Sequence, residues 1–235
     1  MLRLLLLVAA CALTAAPVDA DEYWVSYQGD DYPENEGWRR VFTDENGMKG
    51  QGGAIRSLED GALVLDSLRS VMIVDFYEMS RPIDPDPGEL FVMRWRLKVD
   101  SVPQHYDPAV ALFSDTSSGV AFHFTETALI SALEPNVTVP FEPQLFHLFE
   151  LTSSDMQRYE LSIDGSPAIN GRFMPAGPPS RIAWGDGVQG ATSVSRWDYF
   201  EFGVVPEPPS MSCMLFVLVV ASANGRKPNC SRSLE

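Results

Sequence analysis

The chain has 235 residues, 45% of them apolar, and a formal net charge of −15. Such an acidic surface repels phosphate backbones and excludes nucleic acid as a partner, while it suits a soluble, self-repelling protein or a site for cations. The apolar fraction and the length are enough for one sizeable core.

Residues 1–20, "MLRLLLLVAACALTAAPVDA", place Arg3 ahead of an apolar run from Leu4 to Leu13 and small residues at Val18 and Ala20. That order reads as a cleaved secretory signal, because the run is too short to span the roughly 30 Å hydrocarbon layer. Lipidation at Cys11 is the alternative. The cysteines, Cys11, Cys213 and Cys230, all lie in the terminal segments. A domain over 21–205 must therefore be held by burial without disulfides.

Next comes a polar stretch holding Trp24, Tyr27, Tyr32 and Trp38. Aromatic faces beside polar groups are what sugar rings stack on, so Trp24, Tyr32 and Trp38 are candidate ligand contacts. Trp184, beside Gly185-Asp186-Gly187, joins them with Asp186, whereas Trp95 and Trp197 read as core.

From Trp38 onward, short runs of period two are bounded by turn residues. Strands are expected at 38–43, 62–67, 70–79, 89–102, 108–115, 119–126, 127–133, 145–152, 157–164, 180–186 and 195–205. In "ELFVMRWRLKVDSV", Phe91, Met93, Trp95, Leu97 and Val99 share one face, and Arg94, Arg96 and Lys98 share the other. The continuous runs "VMIV" and "AVALF" suggest central strands buried on both sides. No stretch shows a capped 3.6 period. The expected fold is all-β: an antiparallel two-sheet sandwich of the jelly-roll kind, with a concave face left for ligands.

"SIDGSPAINGRF" is a hairpin in its own right, because Asp164-Gly165 is the residue pair that tight turns of positive φ prefer. Ile163 and Ile169 on either side can face one core. The segments "LFHLFELTSSDMQRYELSIDGSPAINGRF" and "RIAWGDGVQGATSVSRWDYFEFG" resemble the carboxy-terminal half of concanavalin A-like lectin/glucanase (LamG-like) domains of secreted bacterial proteins. The resemblance implies a sandwich over about Tyr23 to Val205 whose last strand returns through its centre. It also implies calcium as an expected cofactor, for which Asp84 in "PIDPDPG" and Asp186 in "WGDGVQG" are the candidate ligands among oxygen-rich turns.

Glycoside hydrolysis needs two carboxylates about 5 to 10 Å apart. The glucanase families of this fold carry Glu-x-Asp-x-x-Glu on one strand, and no such triplet occurs here. The nearest substitutes, Asp75 with Glu78 and Asp198 with Glu201, are spaced by three, which on a regular strand puts them on opposite faces. His105, His123 and His147 have no nucleophile elbow beside them, and His123 and His147 sit in apolar strands as structural residues. The expectation is a protein without catalysis. "Asn136-Val137-Thr138" matches a glycosylation acceptor.

After Val205 the strand ends at Pro206, which has no N–H to pair. "PEPPS" (206–210) is a stiff extended linker, 211–225 an apolar run, and 226–235 a basic to polar tail containing Arg226 and Lys227. This order resembles the PEP-CTERM sorting signal of bacterial surface and matrix proteins. It implies Pro206, Glu207 and Pro208 as the recognition element of an exosortase-like enzyme and transient membrane contact through the apolar helix. At 1.5 Å per residue that helix reaches only about 22 Å, which departs from the pattern. The sequence thus reads as an exported bacterial envelope or matrix protein that binds or adheres to polysaccharide, with a glycan hydrolase and a purely structural matrix component as alternatives.

Overall fold

The central strand of the molecule, β6 (Glu89–Ser101), alternates strictly: Phe91, Met93, Trp95, Leu97 and Val99 are buried, and Arg94, Arg96 and Lys98 face outward. A computed structural model describes residues 25–70, 72–81, 83–101, 109–114, 118–132, 137–175, 180–187 and 192–207. Residues 1–24 with the expected signal, Cys11 and Trp24, then His105, Asn136, Pro208 and the expected apolar helix of the tail lie outside them. Among the described residues the only helix is one 3-10 turn, Pro33–Glu36.

The remaining strands are β1 (Val25–Tyr27), β2 (Arg39–Phe42), β3 (Ile55–Glu59), β4 (Ala62–Asp66) and β5 (Asp75–Met79) before β6. After it come β7 (Ala109–Ser114), β8 (Gly119–Phe124), β9 (Ala128–Ser131), β10 (Thr138–Pro140) and β11 (His147–Ser153). The last four are β12 (Arg158–Ile163), β13 (Ser166–Arg172), β14 (Arg181–Asp186) and β15 (Val194–Pro206). They form two sheets. The first runs β13-β12-β11-β6-β15-β4-β3, with β1 also on β15; the second runs β10-β9-β8-β7-β14-β5-β2. The all-β, two-sheet sandwich expected from period two is what forms, and its strands belong to one unit, Tyr23–Val205.

β15 lies inside the first sheet, as expected of a returning last strand. β4 pairs with it over Val194–Trp197, and β1 over Phe200–Phe202. The Asp164-Gly165 turn has φ of 51° and 75° at its two residues, and Ile169 is buried beyond it. "AVALF" is a central strand, with Ala109, Val110 and Ala111 all buried. "VMIV" is corrected: Ile73 is fixed in a turn by its N–H to the Ser70 carbonyl, and the strand starts only at Asp75.

The core between the sheets is aromatic. Trp184 packs on Tyr27, Tyr77, Trp197 and Phe200 at centroid distances of 4.9 to 5.6 Å. Trp95 packs on Phe149 at 5.3 Å with nearly parallel rings. Burying each such ring contributes on the order of 2 kcal/mol or more, which is how the sandwich holds without a disulfide in 21–205.

Candidate functional site

Two of the aromatic residues expected to bind a ligand, Trp38 and Trp184, prove to be core, and this is a correction. Trp38 is tucked beneath the 3-10 turn and meets Trp184, Phe200 and Phe202 edge to face. Trp184 is fully buried because β14 continues through "WGD" to Asp186, which points this ring between the sheets. Asp186 is fully buried as well, opposite Asp75 in the register, so its carboxylate cannot reach an external sugar or a surface cation. Tyr32 is half-buried, with Arg56 over its ring at 4.7 Å, so one face of that ring is occupied. Asp84 is exposed, whereas Asp186 is buried. Among the described residues no group of three His, Cys, Asp or Glu could hold a metal, so the expected calcium ligands are not brought together.

What the fold does assemble is the outer face of the second sheet. The registers place one row across five strands: Val41 on β2, Phe76 on β5, Gly185 on β14, Val110 on β7 and His123 on β8. The next row is Arg39, Glu78, Ala183, Leu112 and Ala121. These residues point away from the core; Val110, Ala183, Ala121 and Glu78 are only 4 to 8% exposed, while Phe76, Leu112 and His123 are half-buried.

Gly185 stands in the middle of the first row, between Phe76 and Val110, without a side chain and at φ 125°, where a Cβ would come within 2.9 Å of the Phe76 and Asp75 backbone. A notch of about 60 Å³ lies beside it, lined by Phe76, Val110, Leu112, Arg181, Ala183, Trp184 and Gly187.

Charge borders the notch on one side. Glu78 pairs with Arg39 through one oxygen and with Arg181 through the other at 3.2 Å. The carboxylate is 5% exposed and the two guanidiniums 73% and 36%, so Glu78 fixes both cations while their remaining N–H groups face outward. Across the notch, burial pushes the His123 imidazole below its usual range, leaving it neutral near pH 7 with one donor and one acceptor. An apolar strip with donors at both margins can take the C–H face of a sugar and its hydroxyls at once.

The paired carboxylates have other partners. Asp75 faces inward, held by Arg40 and the Ala54 N–H, and Glu78 faces outward, the opposite faces that spacing three requires. Asp198 and Glu201 depart from that rule: both face outward, onto Arg96 and Arg94. His147 is structural, with Nδ1 2.6 Å from Asp164 and Nε2 2.8 Å from the Glu142 carbonyl.

Period two in "DFYEM" already put Phe76 and Glu78 on one side. The sequence did not say that this side faces out. Nor did it say that Arg39, Arg181 and His123 would meet there, since they come from three separate strands.

The sequence matches no known protein-family model and no curated protein, so neither the LamG-like nor the PEP-CTERM resemblance becomes a membership. The fold has solved counterparts. A carbohydrate esterase from the Shiga toxin-encoding bacteriophage phi24B superposes with a TM-score of 0.56 at 13% identity, over 78% of this chain and 98% of that one. Domain 4 of a GH43 extracellular arabinanase from Geobacillus stearothermophilus, solved with arabinotriose, gives 0.51 at 12% identity, over 82% and 96%. The binding domain of botulinum neurotoxin serotype D/C gives 0.50 at 11% identity, over 85% of this chain and 52% of that one. At such identities the likeness is one of fold, a concanavalin A-like jelly roll.

Proposed function

We propose that this protein is a non-catalytic carbohydrate-binding module whose glycan lies across the outer face of the second sheet. The observation that carries the reading is the strip of Phe76, Val110 and Leu112 that lines the notch, edged by the guanidiniums that Glu78 holds. Phe76 offers an apolar surface to a sugar ring, and Arg39, Arg181 and His123 offer hydrogen bonds to its hydroxyls. The absence of catalysis is part of the proposal. It is supported by Glu78 being the one carboxylate described in those two rows and being held by two arginines. The Geobacillus arabinanase domain, of like fold and solved with arabinotriose, makes arabinan a first ligand to try.

Export belongs to the same reading. It is supported by the order of charge and apolar residues in 1–20 and by "PEPPS" after the last strand, which ends at Pro206. The envelope or extracellular matrix would then be where the module meets polysaccharide.

Affinity electrophoresis of the full chain through gels cast with arabinan, xylan or cellulose derivatives tests the reading. Retardation by at least one polymer that is lost in Phe76→Ala, with no reducing sugar released, supports it. Retardation unchanged in Phe76→Ala, sugar release, or no retardation on any polymer overturns it.

A further inference from the structure

A second depression lies on other strands and shares no lining residue with the sheet face. It measures about 590 Å³, within the roughly 300–1,000 Å³ that small-molecule sites occupy. Its walls come from the β11–β12 turn, the exit of β13 and the segment before β6, which supplies Asp84.

Arg158 on β12 and Arg172 on β13 are directly opposed in the register and both line the cleft. Like charges placed opposite each other work against strand pairing. Arg158 also interacts electrostatically with Asp155, and the two guanidiniums form the cationic part of the lining. The nearby Asp155 is committed to the turn: its Oδ1 accepts the Arg158 and Gln157 N–H groups, which hold its carboxyl below the usual range. Met156, also in the wall, is held at φ 51°, a left-handed conformation that a long side chain adopts only when its surroundings impose it. The exposed Asp84 also lines the cleft, with Phe173 as an apolar part of the lining.

We infer that this cleft binds an acidic sugar, a uronic acid residue of a glycan. Its carboxylate meets Arg158 and Arg172 in the charge-assisted, two-pronged geometry that guanidinium favours. Its hydroxyls donate to Asp84 and reach the Gln157 amide, and its apolar ring face lies toward Phe173 and Met156. A neutral sugar satisfies only half of that lining.

Calorimetric titration of the full chain with trisaccharides of galacturonate, glucuronate and mannuronate, each beside its fully methyl-esterified form, tests this. At least one acid binds at a single site, and its ester binds about tenfold more weakly or worse. Arg158→Gln weakens the acid by a similar factor with an unchanged thermal midpoint. Asp84→Asn, which weakens the acceptor for the sugar hydroxyls without touching either arginine, lowers the affinity of acid and ester alike roughly two- to fivefold. No binding of any acid, or equal binding of acid and ester, overturns the assignment, as does an affinity unaffected by both substitutions.

Discussion

Asp198 and Glu201 stand three positions apart on β15 and point to the same side of the sheet. Asp198 pairs with Arg96 and Glu201 reaches Arg94 at 3.6 Å, and both arginines lie on the outer face of β6. The cause is a slip in phase: Trp197 and Phe200 are both buried, so Asp198 and Tyr199 turn outward in succession. The outward carboxylates join a lattice in which Arg94 also holds Glu150 at 2.5 Å and Arg196 holds Asp100 at 2.5 Å and Glu59 at 2.9 Å.

On the proposed reading, acids held in that way serve stability rather than chemistry. Asp198→Asn and Glu201→Gln should each lower stability by about 0.5–1 kcal/mol, the modest value of part-exposed pairs, in urea unfolding. Polysaccharide retention should not change, and no sugar should be released by wild type or either variant. A hydrolytic activity lost in one of them would restore the enzyme reading.

Trp184 sorts core from ligand platform. It is enclosed by Tyr27, Tyr77, Trp197 and Phe200, so Trp184→Phe leaves a void between the sheets and removes none of Phe76, Arg39, Arg181 or His123. A loss of about 1–3 kcal/mol is expected, and about 3–5 for Trp184→Ala, which threatens folding. Glycan retention by folded Trp184→Phe should equal that of wild type. A weakened affinity with unchanged stability would place the indole at the ligand instead.

Much of the sandwich was legible because alternation is a local signal: β6, β8 and β12 show it over six or more residues, and Asp164-Gly165 names its own turn. Three things escaped. The short β1 and β10 carry too few residues to reveal a period, and β3 does not alternate, since its apolar Ile55 and Leu58 are three apart and both exposed. The slip at Asp198-Tyr199 depends on cross-strand packing, which no run of one strand displays. The site depends on which face is covered: Trp184 looked like a surface aromatic beside glycines, while Phe76 was one residue of an expected strand with no role of its own. In both cases the second sheet's position against the first decided the matter, and that is tertiary information.

The acid limb of stability should carry the mark of Asp164. Burial alone would raise its carboxyl, but the Leu148 N–H at 2.9 Å and His147 outweigh it and hold the group below its ordinary range. A lowered folded value means that the stabilisation is present above the unfolded value near 3.9 and disappears as pH falls through the folded one. Asp164→Asn, which tolerates the same φ, should cost about 1 kcal/mol at pH 7, a figure kept small because the side chain is half-exposed. Measured by urea midpoints from pH 7 to 2, the gap between the variant and wild type should close below about pH 4. A constant gap would mean that the hydrogen bonds, and not the charge, are what Asp164 supplies.

Gly171 links the aromatic core to the cleft. It sits opposite Tyr159 in the β12–β13 register, and a methyl group there would overlap the tyrosine ring near its hydroxyl. Tyr159 cannot simply move, since it also packs against Phe122 at 5.7 Å and Phe173 at 5.5 Å. Gly171→Ala should therefore destabilise by about 1–3 kcal/mol in urea unfolding, the usual range for overpacking. Because Arg172 is the next residue, the displaced strand should also weaken binding of the acidic trisaccharide. Tyr159→Ala removes the ring that causes the clash, so adding Gly171→Ala to it should cost less than Gly171→Ala costs alone, a coupling that a double-mutant cycle reads directly. Additive costs would show that Gly171 is needed for its backbone rather than for the tyrosine above it.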